Sequence, residues 1–340
     1  MRKKPTLGLL AAALCAGLLT PLPTASAAPA LPTAPAESYA HDGPRAIGLA
    51  GDRLVAFTTR VPDRTVDLGR IRGLEGDTRL VGIDHRVQDG AVYGVGEVGG
   101  VYRLDLDSPR GGADGPGGGL GSGVLGDLLP GLGLFGPRGA EATPTGGEAP
   151  ATTPRPAGVR AEKVSRLSVP LEGALFGVDF NPAANRLRVI SDTGQNLRHN
   201  IDDPMGAPAP GVTVVDGSLT GPDGAVLTGV TGAAYTNDDL DPATSTTLFT
   251  LDTAMNRVLV QSPANDGTSA PTGALGVDPG PDAGFDIHTD PVSGVNTAYA
   301  VLRVDGRERL YLVDVLSGSA QPLGDFPRGS RVTDLTVLPD

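Results

Sequence analysis

The chain of 340 residues carries a net charge of −12 at pH 7, with 50 glycines, 31 prolines and no tryptophan. This acidic balance argues against nucleic acid and anionic membranes as partners, because both require clustered basic charge. The many glycines and prolines favour short strands joined by turns, and no segment has the apolar period of a long helix.

Residues 1–27 have the layout of a secretory signal peptide. Basic residues at Arg2–Lys4 precede the apolar run Leu7–Leu19, which is too short to span a bilayer. An Ala-x-Ala motif follows, and we predict cleavage after Ala27 or Ala28. The sequence therefore predicts a secreted, extracellular protein without a membrane span.

The only cysteine, Cys15, lies inside this predicted signal peptide. Attachment of a lipid to Cys15 is the alternative, but Leu14 stands where a small residue is expected. The mature chain then has no disulfide and no thiol chemistry. Residues 28–44 are rich in Ala and Pro, and we predict an extended leader there, followed by one domain over residues 45–340.

The clearest strand pattern lies between Ala174 and Asp202. Apolar or alternating runs predict three strands at Leu175–Phe180, Leu187–Ile190 and Asn196–Ile201, with turns at Asn181–Asn185 and Asp192–Gly194. Weaker copies of this meander recur along the chain. They indicate an all-β fold built from repeated units.

The repeat length predicts a β-propeller. Equivalent inner-strand positions recur at intervals of about 42 to 55 residues when one long insert is left out, which is the length of a four-stranded blade. These positions are Asp84, Asp179, Ala234, Asp286 and Asp334. The count predicts five blades, and six is the alternative if the insert contains strands.

The first repeat lacks its own innermost strand. We predict that Val332–Val337 supplies it by pairing with Ile47–Ala50, which closes the ring through the two ends of the domain. Without this pairing, the first blade would expose an unpaired inner edge, which β-proteins avoid.

The insert at residues 107–159 is dominated by Gly, Pro, Ala and Thr. Its composition predicts disorder, because it offers few side chains for a core. The apolar patch at Leu132–Phe135 and the leucines before it leave open a second interpretation, a short segment that docks on a partner or a surface.

Three stretches resemble an exported bacterial family known as domain of unknown function 4394. They are LFGVDFNPAANRLRVISDTGQNLRHNID, TGAAYTND and the NTAYAVL of Asn296–Leu302, and the part at Ser191–Arg198 is the most specific. The resemblance covers Arg45 to Leu338, apart from the insert. It implies export and a propeller-like all-β fold, and it brings no established activity or catalytic residue.

Asp84, Asp179, Asp286 and Asp334 are the candidate inner-strand carboxylates. Carboxylates converging near the axis of a propeller bind a cation, or act as an acid/base pair on a sugar. The alternative is structural, with each Asp accepting hydrogen bonds from backbone N–H groups of the next blade. Recurrence from blade to blade favours this structural role, because catalysis needs carboxylates with different pKa values.

Asp192, Gln195, Asn196 and Arg198 form the densest polar group beside a predicted strand pair. They offer donors and acceptors to a carbohydrate or a peptide. The alternative is a hairpin turn in which Gly194 supplies a positive φ and the polar side chains bond locally.

Asn237, Asp239 and Asp241 place oxygen atoms at alternate positions, as calcium loops do. The EF-hand motif is excluded, because Pro242 stands where it needs Gly and Leu248 where it needs Glu. A solvated acidic turn is the alternative. The histidines at positions 85, 199 and 288 lack the spacing of a metal site.

No asymmetric catalytic set, phosphate-binding loop or nucleophile motif is present in the sequence. We therefore predict a non-enzymatic binding or scaffold module at the cell surface or outside, whose partner is a glycan, a peptide or a protein. No cofactor is expected apart from a calcium ion. The alternative is a hydrolase or lyase that acts on polysaccharide or cell wall through Asp179 or Asp286.

Overall fold

A computed structural model describes residues 43–106, 158–241 and 243–339. The predicted signal peptide, residues 28–42 of the leader and residues 107–157 of the insert lie outside these ranges. Within them the chain forms twenty β-strands and a short 3-10 helix at Ala264–Asp266. The prediction of an all-β fold is confirmed.

Eight strands form one sheet in the order β20-β1-β2-β3-β7-β6-β5-β4. Its strands are β1 (Arg45–Ala50), β2 (Arg53–Thr58), β3 (Val66–Arg72), β4 (Leu80–Arg86), β5 (Ala91–Gly96), β6 (Gly100–Asp105), β7 (Val159–Arg166) and β20 (Val332–Val337). The two halves of this sheet meet where β3 and β7 run parallel, with Ile71 opposite Val159. The sheet is therefore two four-stranded groups joined at their outer strands.

The remaining strands form three antiparallel sheets of four strands each. They are β8 (Phe176–Asn181), β9 (Arg186–Ser191), β10 (Asn196–His199) and β11 (Thr213–Val215); β12 (Val230–Tyr235), β13 (Leu248–Asp252), β14 (Arg257–Gln261) and β15 (Ser269–Ala274); and β16 (Ala283–Thr289), β17 (Asn296–Val304), β18 (Arg307–Val313) and β19 (Ala320–Asp325). In each sheet the first strand in chain order lies at one edge.

The meander at residues 174–202 forms the three strands predicted there. Gly194 has a φ of +90°, so the hairpin turn uses the glycine as expected. The third strand ends at His199 rather than Ile201. The physical reason is local: the Asn200 side-chain amide donates hydrogen bonds to the carbonyls of Asp203 and Pro208, and the chain turns away from the sheet.

The two ends of the domain pair as predicted. Strands β1 and β20 are antiparallel, with Gly48 opposite Leu335 and Ala50 opposite Val332. Leu335 and Val332 are both buried in a cluster that joins β1, β2 and β20 to β17 and β18. The last strand therefore belongs to the core of the domain.

Five strands contact one another in a closed series, β4 to β8 to β12 to β16 to β20 and back to β4, and we call these five the inner strands. Glycines allow this close approach. A Cβ atom at Gly177 would lie 2.6 Å from the backbone nitrogen of Ala233, and one at Gly284 would lie 2.5 Å from the Cα of Asp334. This packing brings together the side chains that stand two residues after the glycines, namely those of Asp84, Asp179 and Asp286.

Candidate metal centre

Three of the predicted inner-strand carboxylates meet between the inner strands. Asp84 on β4, Asp179 on β8 and Asp286 on β16 are buried, and each offers one oxygen atom such that these atoms all lie within 4.8 Å of one another. Carboxylates this close repel each other when ionised, so the cluster needs protons or a cation to balance its charge.

Backbone hydrogen bonds from the next inner strand hold each carboxylate in place. Asp84 Oδ2 accepts from the N–H of Phe180 at 2.7 Å, and Asp179 Oδ1 accepts from that of Tyr235 at 3.3 Å. Asp286 Oδ2 accepts from the N–H of Val337 at 2.5 Å. These are the inter-strand contacts that the structural interpretation of the sequence predicts.

Thr336 takes the corresponding position on β20. Its hydroxyl accepts a hydrogen bond from the N–H of His85 at 3.0 Å, and its O–H donates to Asp84 Oδ1 at 3.0 Å. The sequence-based equivalence of Asp334 with Asp84 is therefore wrong by two residues. Because strand side chains alternate with a period of two, an offset of two keeps the same face, and the residue pattern does not distinguish the two registers.

Asp334 lies two residues before Thr336 on β20, beside Gly82 and Gly284. Its Oδ2 accepts from the N–H of Ile83 at 2.8 Å, and a Cβ at Gly82 would lie 3.1 Å from the same oxygen. Burial raises the pKa of Asp334 well above its ordinary value. Asp334 ties β20 to β4 and does not join the three clustered carboxylates.

Burial also dominates the electrostatics of the cluster. It raises the pKa values of Asp84 and Asp179 well above those of exposed carboxyls, and the neighbouring carboxylates raise them further. The pKa of Asp286 rises to about 6 through burial, while the N–H groups of Val337 and Ile287 act in the opposite direction. Burial thus favours the protonated forms of these carboxyl groups, or their neutralisation by a cation.

A fourth carboxylate, Asp238, joins the cluster from the loop after β12. With the other three it lines a small cavity of about 10 Å³. The pKa of Asp238 rises to about 8, mainly because burial removes its carboxyl group from water and also because the carboxylates of Asp286 and Asp239 lie nearby. A cavity of this size holds about one water molecule or one ion.

Sequence reasoning missed Asp238 and chose its neighbours instead. Asp239 Oδ1 accepts from the N–H of Asp241 at 2.7 Å, and Asp241 Oδ1 accepts from the N–H of Ala243 at 2.8 Å. Asn237 bonds to Asn296 with its side-chain oxygen. The two aspartate oxygens therefore serve the loop itself, and Asn237 ties the loop to β17. The acidic run directly after β12 is the sequence signal that indicated the loop from which Asp238 joins the cluster.

The donor set of the cluster consists of carboxylate oxygens, which are the ligands of hard cations such as Ca²⁺ and Mg²⁺. Calcium–oxygen distances of about 2.3–2.6 Å fit oxygens within 4.8 Å of one another. In the ranges that the structure describes, no arginine or lysine forms an ion pair with these four aspartates. The residues present therefore fit a divalent cation.

Two buried histidines lie in different places: His85 lines the cavity of the cluster, and His199 lies elsewhere, between Ser165 and Thr213. Burial lowers the pKa of His85 and of His199 to about 4, so both are neutral at pH 7. His199 exchanges hydrogen bonds with Ser165 at 2.8 Å and Thr213 at 3.0 Å. None of the three histidines belongs to the group of potential ligands found in the described residues.

A family model described as a domain of unknown function (DUF4394) matches residues 53–115 and 151–336. The chain belongs to this family. The match confirms the resemblance carried by Ser191–Arg198 and the other quoted stretches. No curated protein matches the sequence.

Among solved structures, the chain is similar to a structural genomics protein of unknown function from Bacteroides thetaiotaomicron, at 13% identity and a TM-score of 0.38. That likeness covers 81% of this chain and 56% of the other, so this chain spans little more than half of its length. Two structures of AztD from Citrobacter koseri are also similar. The apo form has 13% identity, a TM-score of 0.34 and coverage of 82% and 81%. The second has 13% identity, a TM-score of 0.30 and coverage of 85% and 82%. At this similarity none of them assigns a function to this chain.

No helix in the described ranges of this DUF4394 protein has the length and apolar character needed to cross a bilayer.

The DUF4394 stretch Ser191–Arg198 contains the four residues predicted as a ligand site. Asp192 Oδ1 accepts from the N–H of Ala174 at 2.9 Å. The side-chain amide of Gln195 bonds to the backbone of Glu172 and Pro170 at 3.0 and 2.9 Å. These two side chains therefore hold the segment that precedes β8.

The other two predicted ligand residues have different partners. Asn196 donates to the carbonyls of Gly217 and Ala264 at 2.9 and 3.0 Å, and Arg198 pairs with Asp216 at 3.2 Å. The four side chains thus divide into two groups with separate intramolecular partners. Their partners lie 18 to 68 residues away along the chain, so these side chains join separate segments and do not bond locally within the hairpin.

Arg188 is the centre of the network around Asn196 and was missed by sequence reasoning. It is buried on β9 and pairs with Asp216 at 2.7 Å. It also donates to Tyr235 at 3.2 Å and to Asn265 at 2.7 Å, which belong to the next sheet and the 3-10 helix. Arg188 therefore connects two neighbouring sheets of this DUF4394 protein.

We expect Arg188→Met to lower the free energy of unfolding by about 3–5 kcal/mol, because it leaves buried polar partners without their cation. Urea denaturation followed by circular dichroism measures this loss. Arg53→Met is the matched control, since Arg53 and Asp67 are 39% and 49% exposed and such pairs contribute about 1 kcal/mol or less. Equal losses in the two variants would contradict the role given to Arg188.

Proposed function

We propose that this protein is an exported five-bladed β-propeller that acts as a non-enzymatic binding or scaffold module, with a calcium ion held between its inner strands. The observation that carries the proposal is the meeting of Asp84, Asp179 and Asp286 within 4.8 Å in the buried centre of the fold. Its partner outside the cell would be a glycan, a peptide or a protein.

Two features support five blades. The twenty described strands divide into five groups of four when β20 is counted with β1, β2 and β3. The series of contacts between inner strands also closes with five members. Six blades, the alternative, would need an additional inner strand within a series that already returns to its start.

The number of carboxylates favours a bound calcium ion, rather than protons alone, as the group that balances the charge of the cluster. Four acidic side chains line one cavity, and hard oxygen ligands of this kind suit a divalent ion. A bound ion would neutralise charges that the described arginines and lysines leave unpaired. It would also link three inner strands, which makes a structural role of the ion the simplest one.

The size of the same cavity supports a non-enzymatic role. A space of about 10 Å³ accommodates an ion or a water molecule and not a sugar ring. The carboxylates of Asp84, Asp179 and Asp286 also accept hydrogen bonds from backbone N–H groups, so these oxygen atoms are already engaged. Both features argue against the alternative, a hydrolase or lyase that uses Asp179 or Asp286 as acid and base on a polysaccharide.

Metal titration of the secreted protein tests the proposal. Because the chain lacks tryptophan, terbium bound beside Tyr235 would be excited through tyrosine, and calcium should displace it. We expect calcium to bind with a Kd between about 10⁻⁶ and 10⁻³ M. Asp179→Asn should weaken binding at least about 100-fold, since it removes one of three buried ligands.

Asp241→Asn is the matched control, because Asp241 belongs to the loop first considered as a calcium site. Its affinity for calcium should equal that of the unmodified protein. Loss of binding in Asp241→Asn with full binding in Asp179→Asn would move the ion to the loop. Absence of binding in the unmodified protein would refute the calcium site altogether.

A further inference from the structure

The contact between β12 and β16 differs from those between the other inner strands. At the position of Asp84 and Asp179, β12 carries Ala234, which has no side-chain acceptor. The N–H of Ile287 on β16 bonds instead to its own neighbour, Asp286 Oδ1, at 2.6 Å. The side-chain hydrogen bond that ties the other inner strands together is therefore replaced at this joint.

A cleft of about 380 Å³ lies at the same joint. Thr236 lines it from the end of β12, and the sheet of β16 to β19 supplies its other side. The apolar lining residues are Ile287, Ala298, Leu312, Val313, Val315 and Leu316. Pockets of about 300–1,000 Å³ with mainly apolar walls are the usual sites of small ligands.

The charges around this cleft have one sign. Asp314 lines its wall, and its pKa is lowered by hydrogen bonds from the Ser317 hydroxyl and from backbone N–H groups, so it is ionised at neutral pH. No lysine or arginine is among the lining residues. Ile287 lines both this cleft and the small cavity of the carboxylate cluster, so the two spaces are neighbours.

We propose that this cleft binds a small aliphatic ammonium compound. The aliphatic part would occupy the wall formed by Ala298, Leu312 and Val315, and the ammonium group would lie toward Asp314. Apolar walls supply affinity through burial, and the carboxylate selects a cation over an anion of the same shape. This binding site is separate from the proposed calcium site.

Octylammonium, octanoate and octanol form a matched set of probes with one chain and three head groups. Isothermal titration calorimetry on the mature protein, with calcium and with EDTA, should give a measurable Kd for octylammonium. Binding of octanoate and octanol should be at least about 10-fold weaker. Equal affinity for the three compounds, or no binding of octylammonium, would overturn the proposal.

Leu316→Arg tests the location. Leu316 is 74% exposed, so its replacement leaves the core intact. The new cation should weaken octylammonium binding at least about 10-fold and improve that of octanoate. Met205→Arg is the control. Met205 is 92% exposed and lies outside the cleft, and its replacement by Arg adds the same positive charge.

An unchanged octylammonium affinity in Leu316→Arg would place the ligand elsewhere and refute the site. The terbium titration tests the calcium site independently of these ligand-binding measurements. Octylammonium binding that persists in EDTA and in Asp179→Asn would support the cleft even if no calcium binds.

Discussion

Removal of residues 331–340 is expected to unfold the whole domain rather than fray one end. Strand β20 buries Val332, Leu335 and Val337, each about 1% exposed, and Thr336 bonds across to β4. Burial of each aliphatic side chain contributes about 1.5–3 kcal/mol, so the loss approaches the total stability of a domain, about 5–15 kcal/mol. Thermal melting followed by circular dichroism, together with limited proteolysis, measures the effect.

A designed disulfide tests the same closure without truncation. Cysteines at Ala50 and Val332, which are opposite each other in the ladder, should crosslink in the native protein and raise its melting temperature. Cysteines at Ala50 and Leu335 are the control, because Leu335 pairs with Gly48 instead. An unchanged melting temperature after truncation, or a crosslink only in the control pair, would show that the ends are not joined in this way.

The stability of the metal-free protein is expected to fall between about pH 6.5 and 8. The pKa of Asp238 is about 8, and those of Asp84 and Asp179 are raised well above the ordinary value. In this range the native state therefore holds protons that the unfolded state has released. Each such proton lowers the free energy of unfolding by about 1.4 kcal/mol per pH unit as pH rises.

Two histidines oppose this trend at lower pH. The pKa values of His85 and His199 fall to about 4 in the native state, so the unfolded state binds more protons than the native state between about pH 4 and 6.5. Their contribution to stability rises with pH across that interval and is complete above it. The interval from pH 6.5 to 8 therefore excludes these two histidines and reports on buried carboxyl groups, namely the cluster together with Asp334, whose pKa is also raised.

Urea denaturation in EDTA at several pH values measures the effect, and the same series with calcium provides the comparison. Calcium should stabilise the protein more at pH 8 than at pH 6.5, because protons compete with the ion at the lower pH. Asp238→Asn should flatten the decline in EDTA. Stability that is constant or rises from pH 6.5 to 8 without metal would contradict the protonated cluster.

The strand pattern of residues 174–202 was predictable because strand and turn preferences are local. Alternating apolar residues and the glycine of the turn at Gly194 depend on the backbone within a few residues. The pairing of β20 with β1 was also predictable, since repeat length leaves one group without an inner strand. These features needed the chain alone.

The site depended on contacts between distant segments. The sequence by itself determined that acidic residues occur on successive inner strands and that an acidic loop follows β12. Only the tertiary structure decided that Asp84, Asp179 and Asp286 converge with Asp238, that Thr336 rather than Asp334 occupies the corresponding position, and that Arg188 joins two sheets. The reason is that a strand shifted by two residues presents the same face, so register and convergence are settled by packing between strands and not by the pattern within one.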